Sequence, residues 1–174
     1  RAKTAAPGQS VGSPLPQLPA PLTSFVGRER VVAEVVALLQ EIRPDDSTQV
    51  GTPLLPLTGP GAVGKTRLAL RLATSIHREF PDGAWLVELD DVRTESRLID
   101  VVAATLGVRD HSGRSFRQIL LDFLSSRELL LVLDNCEQVV DAVADLATAL
   151  LQHNRNLRIL VTSREPLAIA GEAT

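Results

Sequence analysis

Eight residues, Gly59-Pro60-Gly61-Ala62-Val63-Gly64-Lys65-Thr66, constrain this chain more than any other stretch. They fit the pattern G-x-x-x-x-G-K-[ST]. An apolar run, Leu54 to Leu57, precedes them, and a helical pattern carrying Leu68, Leu70, Leu72, Ala73 and Ile76 follows. From the chain's own Gly, Lys, Ser and Thr frequencies, a chance match is roughly one in a thousand. Each part of such a strand–loop–helix unit has a physical task. Backbone amides of the loop converge on an anion, glycine permits the close approach, and the helix adds the positive end of its dipole. Lys65 supplies a mobile charge for β- and γ-phosphates, and Thr66 a hydroxyl for Mg²⁺. A bare glycine turn would need neither residue. Lys3 is the only other lysine, which makes Lys65 more telling.

The surrounding pattern places this unit in an α/β fold. Helical spacing predicts helices over about 27–42, from Lys65 through Ile76, and over about 95–106, 115–126 and 137–152. Apolar runs predict strands at 54–57, 84–89, 129–133 and 158–162. Alternating strands and helices imply βαβ units, hence a parallel sheet with helices on both faces. Pro53 and Pro56 conflict with the first strand, because proline cannot donate to a ladder. Either that strand is short, with Leu57 and Thr58 as its pairing core, or it lies at an edge.

Residues 1–24 hold five of the 11 prolines, Pro7, Pro14, Pro16, Pro19 and Pro21, among small and polar residues. This composition favours extended polyproline conformation and reads as an interdomain linker, with the nucleotide-binding domain over 25–174. The chain opens with Arg1 and lacks methionine, so the expectation is a piece of a longer protein. Hydrophobic residues make up 44%, enough for one aliphatic core. No apolar run approaches a membrane-spanning length, so no membrane partner is expected. The single cysteine, Cys136, fits a reducing, cytoplasmic setting, and His77, His111 and His153 lack metal-ligand spacing. A net charge of −3 argues against DNA affinity of its own.

Two further motifs bear on chemistry. Leu129-Leu130-Leu131-Val132-Leu133-Asp134 delivers a carboxylate to the C-terminal end of a buried strand, where α/β sheets bind ligands, and Asp134 would hold Mg²⁺. Asn135 follows; an amide cannot act as a general base but can orient water. Glu137 is the nearest acidic candidate, or else a charge favoured by the N-terminus of the next helix. Ile159-Leu160-Val161-Thr162-Ser163-Arg164 ends a strand in two hydroxyls and an arginine, and Arg164 is a candidate γ-phosphate sensor. Phe25-Val26-Gly27-Arg28-Glu29 marks the junction of the linker and the first helix.

Four stretches in this order, "LPAPLTSFVGRE", "LTGPGAVGKTRLAL", "LLLVLDNCE" and "ILVTSREPL", resemble the nucleotide-binding domain of bacterial STAND ATPases. These are relatives of NB-ARC modules within the AAA-like P-loop class. The likeness covers about residues 18–174 and is strongest to SARP-type transcriptional regulators, with LuxR-type regulators very similar. It implies a three-layer P-loop NTPase sandwich, ending before the lid and winged-helix domains that follow in relatives. The cofactor-binding positions it implies for ATP or ADP are Val26, Gly27 and Arg28, at the adenine, together with Gly59, Pro60, Gly61, Ala62, Val63, Gly64, Lys65, Thr66 and Arg67. Metal-binding roles fall to Thr66 and Asp134, and catalytic roles to Lys65, Asp134, Asn135, Glu137 and Arg164. Ala62 and Pro56 depart mildly from the family pattern. Asn135 departs from the paired aspartates of NB-ARC proteins but matches the regulator subgroup.

Three functional classes follow. The first is a slowly hydrolysing ATP/ADP switch that controls oligomerisation and the DNA-binding output of a larger regulator, reaching DNA only through other domains. The second is a turnover P-loop ATPase or kinase, which Asn135 disfavours. The third is a nucleotide-independent scaffold in contact with flanking domains.

Overall fold

The computed structural model describes residues 29–41, 54–60, 64–109, 113–165 and 167. The expected linker, Val26, Gly27, Arg28, Gly61, Ala62 and Val63 lie outside the described residues. The elements run α1 (Glu29–Glu41), β1 (Leu54–Thr58), α2 (Lys65–Ile76), β2 (Ala84–Glu88), α3 (Glu95–Thr105), α4 (Phe116–Leu124), β3 (Leu130–Asp134), α5 (Val140–His153) and β4 (Arg158–Ser163). Two 3-10 turns, His77–Glu79 and Cys136–Gln138, intervene.

The four strands form one parallel sheet in the order β1-β4-β3-β2. Burial follows that order. Every residue of β3 and β4 is buried, whereas β1 and β2 carry half-buried and exposed positions. Central strands of a parallel sheet have both faces covered, so they need continuous apolar runs rather than alternation. Period-two geometry then divides each run between two cores. Leu131, Leu133, Ile159 and Val161 face one layer with α3, α4 and α5, through residues such as Leu98, Val102, Leu120 and Leu146. Leu130, Val132 and Leu160 face the other, against Leu68, Leu72 and Ile76 of α2 and the half-buried Val32, Val35 and Val36 of α1. Each such buried aliphatic side chain contributes about 1.5–3 kcal/mol. Thr94 Oγ1 accepts from Arg97 N at 3.3 Å and Ser115 Oγ from Gln118 N at 3.3 Å, capping α3 and α4. Among the described residues no helix is long and apolar enough to cross a membrane.

The proline conflict resolves toward the edge. β1 pairs with β4 over all five residues, Leu54↔Ile159 through Thr58↔Ser163, so its pairing is not confined to Leu57 and Thr58. It is an edge strand among the described residues, where a missing N–H can turn away from the ladder. The predicted helix over 137–152 is corrected. Val139 has non-helical dihedrals (φ −139°, ψ 32°), and it separates the Cys136–Gln138 turn from α5. Glu137 therefore stands outside α5, and Asp141 is the acid in that helix's first turn.

The connections position the functional end. β1 leads to α2 on one face, while β3 leads to α5 on the other. Loops that diverge to opposite faces open a crevice at the C-terminal edge of a parallel sheet.

Candidate nucleotide site

Gly64 sits at the start of α2 in the left-handed region (φ 80°, ψ 29°), a conformation that costs glycine little. No side chain caps this helix and its first turn holds no acid. Its first N–H groups, on Lys65, Thr66 and Arg67, are therefore the kind of uncompensated donors that attract an anion. These residues, with Gly64, Asn135, Glu137 and Arg164, line a cleft of about 460 Å³.

Lys65 Nζ donates to Gly59 O at 2.8 Å and to Pro60 O at 3.0 Å, which turns the ammonium back toward the residues that follow β1. Thr66 Oγ1 donates to Asp134 Oδ1 at 3.0 Å across 68 residues of sequence. The second motif thus meets the first at hydrogen-bond distance. Asp134 is only 2% exposed at the C-terminus of β3. The fully buried Thr162 on β4 also donates its hydroxyl to Asp134 Oδ1, and accepts from Asn135 N at 3.0 Å. A buried carboxylate needs such donors, because leaving it unpaired would cost several kcal/mol.

Asn135 has φ 61° and ψ 55°, and it is the one non-glycine residue with positive φ among the described residues. Asparagine tolerates this region better than other residues of its size. The position beyond Asp134 therefore has a backbone requirement as well as a chemical one. Its Nδ2 donates to Asp90 Oδ1 at 2.8 Å. Arg164 Nε lies 3.5 Å from Glu137 Oε1, with the arginine side chain 67% exposed and the glutamate 20%. Cys136, between Asn135 and Glu137 in sequence, is buried, which pushes its thiol well above its ordinary range, with the Asp134 and Glu137 charges adding to the effect.

The sequence reading singled out Gly59, Pro60, Gly64, Lys65, Thr66, Arg67, Asp134, Asn135, Glu137 and Arg164, and these gather at one end of the sheet. It gave no role to Thr162 or Asp90. Thr162 carried a signal, as one of two hydroxyls ending an apolar strand. Asp90 carried less. It lies two residues beyond Glu88, which the β2–β3 register sets opposite Asp134, and no short motif links it to Asn135.

The residues fit a divalent hard cation and a phosphate chain. One carboxylate and one hydroxyl at hydrogen-bond distance are oxygen donors of the type Mg²⁺ shares with phosphate and water.

Comparison with known proteins agrees with this geometry. The NB-ARC domain model matches residues 28–173. The chain belongs to the NB-ARC family. It is therefore a P-loop NTPase-type domain, and family membership implies nucleotide binding. A Mycobacterium tuberculosis protein, named among HTH-type transcriptional regulators, is 45% identical over 122 residues, which is 70% of this chain and 14% of that protein. Regulatory protein AfsR of Streptomyces coelicolor is 29% identical over 127 residues, 68% of this chain and 13% of AfsR. The chain thus spans about a seventh of such relatives. Among solved structures, Cdc6p from Pyrobaculum aerophilum superposes with a TM-score of 0.60 at 17% identity, over 83% of this chain and 41% of that one. A chain of Drosophila ORC bound to DNA gives 0.57 at 18% identity, over 82% and 38%. At these identities the likeness is one of fold.

Proposed function

We propose that this NB-ARC domain is the ATP/ADP-responsive switch of a larger transcriptional regulator, in which slow hydrolysis resets the bound state. The observation that carries this reading is the convergence of Lys65, Thr66 and Asp134 at the N-terminus of α2. In this reading Lys65 and the first amides of α2 grip the phosphates, together with Gly59, Pro60, Gly61, Ala62, Val63, Gly64 and Arg67. Val26, Gly27 and Arg28 meet the adenine. Thr66 and Asp134 hold Mg²⁺, which when bound neutralises developing phosphate charge. Asn135 orients water, Glu137 offers the nearest carboxylate, and Arg164 senses the γ-phosphate.

Slow turnover is supported by Asn135, since an amide does not remove a proton at neutral pH. The regulatory setting is supported by the relatives' names and their much greater length. Residues 1–24 would then be the linker joining 25–174 to a neighbouring domain. Homo-oligomerisation and DNA binding would belong to the assembled cytoplasmic protein, and the net charge of −3 supports leaving DNA contact to other domains.

Titration with a fluorescent ATP analogue and Mg²⁺ tests the reading. Lys65→Ala should reduce affinity at least tenfold, about 1.4 kcal/mol or more. Unchanged binding would instead favour the scaffold alternative. Sustained hydrolysis above about 1 s⁻¹ would favour a turnover enzyme.

A further inference from the structure

Asn135 is held from three directions. Its backbone is in the left-handed region, its N–H is bonded to Thr162 Oγ1 at 3.0 Å, and its side-chain Nδ2 donates to Asp90 Oδ1 at 2.8 Å. The first two set the backbone, and the third fixes only the amide. A carboxylate accepts and cannot donate, so Asp90 draws the NH₂ end toward itself. Oδ1 of Asn135 is then the side-chain atom left to accept from a polar group in the cleft that Asn135 lines with Lys65, Thr66 and Glu137.

Asp90 is exposed, yet its loop is tethered. Leu89 and Val92 on either side are buried. Leu89 N donates to Asp134 O at 2.9 Å, Val92 N to Leu89 O at 3.0 Å, and Arg93 Nη1 to Asp90 O at 2.5 Å. The loop beyond β2 is thereby tied to the end of β3, where Asp134 and Asn135 stand.

We propose that Asp90 is a positioning residue for nucleotide hydrolysis, holding the Asn135 amide so that its Oδ1 accepts a hydrogen bond from the attacking water. This rests on the nucleotide-binding reading above. The water oxygen bonds to the γ-phosphorus as the bond to the β–γ bridging oxygen breaks. Asn135 orients the water but takes no proton; the proton passes to a phosphate oxygen or to solvent. The carboxylate missing after Asp134 is thus present one strand away, acting through the amide.

Single-turnover hydrolysis and nucleotide affinity, measured on the full chain, test this. Asp90→Ala should slow hydrolysis about tenfold while affinity stays within about twofold, the split expected when a group acts only on the reacting step. Asp90→Asn still offers an acceptor and should restore the rate to within about twofold of wild type. Asn135→Gly keeps the backbone conformation without the amide, and should itself lose about tenfold. Asp90→Ala on that background should then cost nothing more. If Asp90→Ala fails to fold, Asp90→Leu, close in shape to aspartate but without an acceptor, takes its place beside Asp90→Asn and Asn135→Gly. Wild-type hydrolysis in Asp90→Ala, or full activity in Asn135→Gly, overturns the proposal. Parallel losses of rate, affinity and Tm would assign Asp90 a structural role instead. Tight binding without any wild-type hydrolysis would overturn it while leaving the nucleotide site intact, whereas lost binding in Lys65→Ala bears on that site alone.

Discussion

The two ends of the parallel strands hold their polar side chains in different ways. At the C-terminal end, side chains bond to one another: Thr66 and Thr162 to Asp134, and Asn135 to Asp90. At the N-terminal end, side chains bond chiefly to backbone. Asn154 Nδ2 donates to Leu124 O and Arg127 O, both at 2.6 Å, and its Oδ1 accepts from Asn156 N at 2.8 Å. Asp82 Oδ2 accepts from Glu128 N at 2.8 Å and its Oδ1 from Arg127 Nη1 at 3.2 Å. Arg158 Nη1 donates to Arg155 O at 2.7 Å and Leu157 O at 3.0 Å, and its burial lowers the guanidinium's proton affinity. Backbone partners cannot leave without loosening the chain, so that end behaves as a fastening. Hydroxyls and carboxylates gathered around a cleft can exchange partners for a ligand while the strands stay in place.

This contrast predicts a graded series. Asn154→Ala should produce the largest loss of stability, about 3 kcal/mol by chemical denaturation, because two carbonyls and an amide lose their partner inside the protein. A loss below about 1 kcal/mol would remove the distinction between the two ends. Thr162→Val should cost about 1.5 kcal/mol, since it strips a donor from Asp134 and an acceptor from Asn135 N. It should also weaken Mg²⁺-dependent nucleotide affinity, which separates it from a purely structural change. Asp134→Asn should alter stability by less than about 1 kcal/mol, because relief of a buried charge offsets poorer hydrogen bonding. Paired titrations with and without Mg²⁺ should show the metal's contribution gone; a stability loss matching that of Asn154→Ala would place Asp134 with the fastenings.

The smallest effect is expected at Asp122 on α4. Hydrogen bonds from Gln118 first and Arg114 second hold its carboxyl below the usual aspartate range, and both the carboxylate and Arg114 are exposed. A folded value below the unfolded one stabilises at pH above the unfolded value and loses that contribution as pH falls through the folded one. The Tm gap between wild type and Asp122→Asn should therefore be slight near neutrality and vanish in acid. A gap that widens in acid would reverse the assigned sign.

Much of the architecture could be read in advance because period and punctuation agree. The Leu129–Leu133 run had to be a strand buried on both faces, and Lys65 to Ile76 could be laid out as a helix from its apolar spacing. The break at Val139 was not legible, since 136–153 carries helix-compatible residues throughout, and the tight turn is set by Asn135's left-handed backbone and its bond to Thr162. Asp90 was hidden for a related reason: its partner stands 45 residues away, joined only through strand pairing.

Residue order alone was enough for the strand and helix that flank residues 59–64, the carboxylate ending a buried strand, and the layered α/β class, because each rests on local spacing and hydrophobic period. Which side chains actually meet was decided in three dimensions. Parallel pairing in the order β1-β4-β3-β2 sets the ends of strands far apart in sequence side by side. Only that pairing brings Thr66, Thr162 and Asp134 to one oxygen and Asp90 to the Asn135 amide.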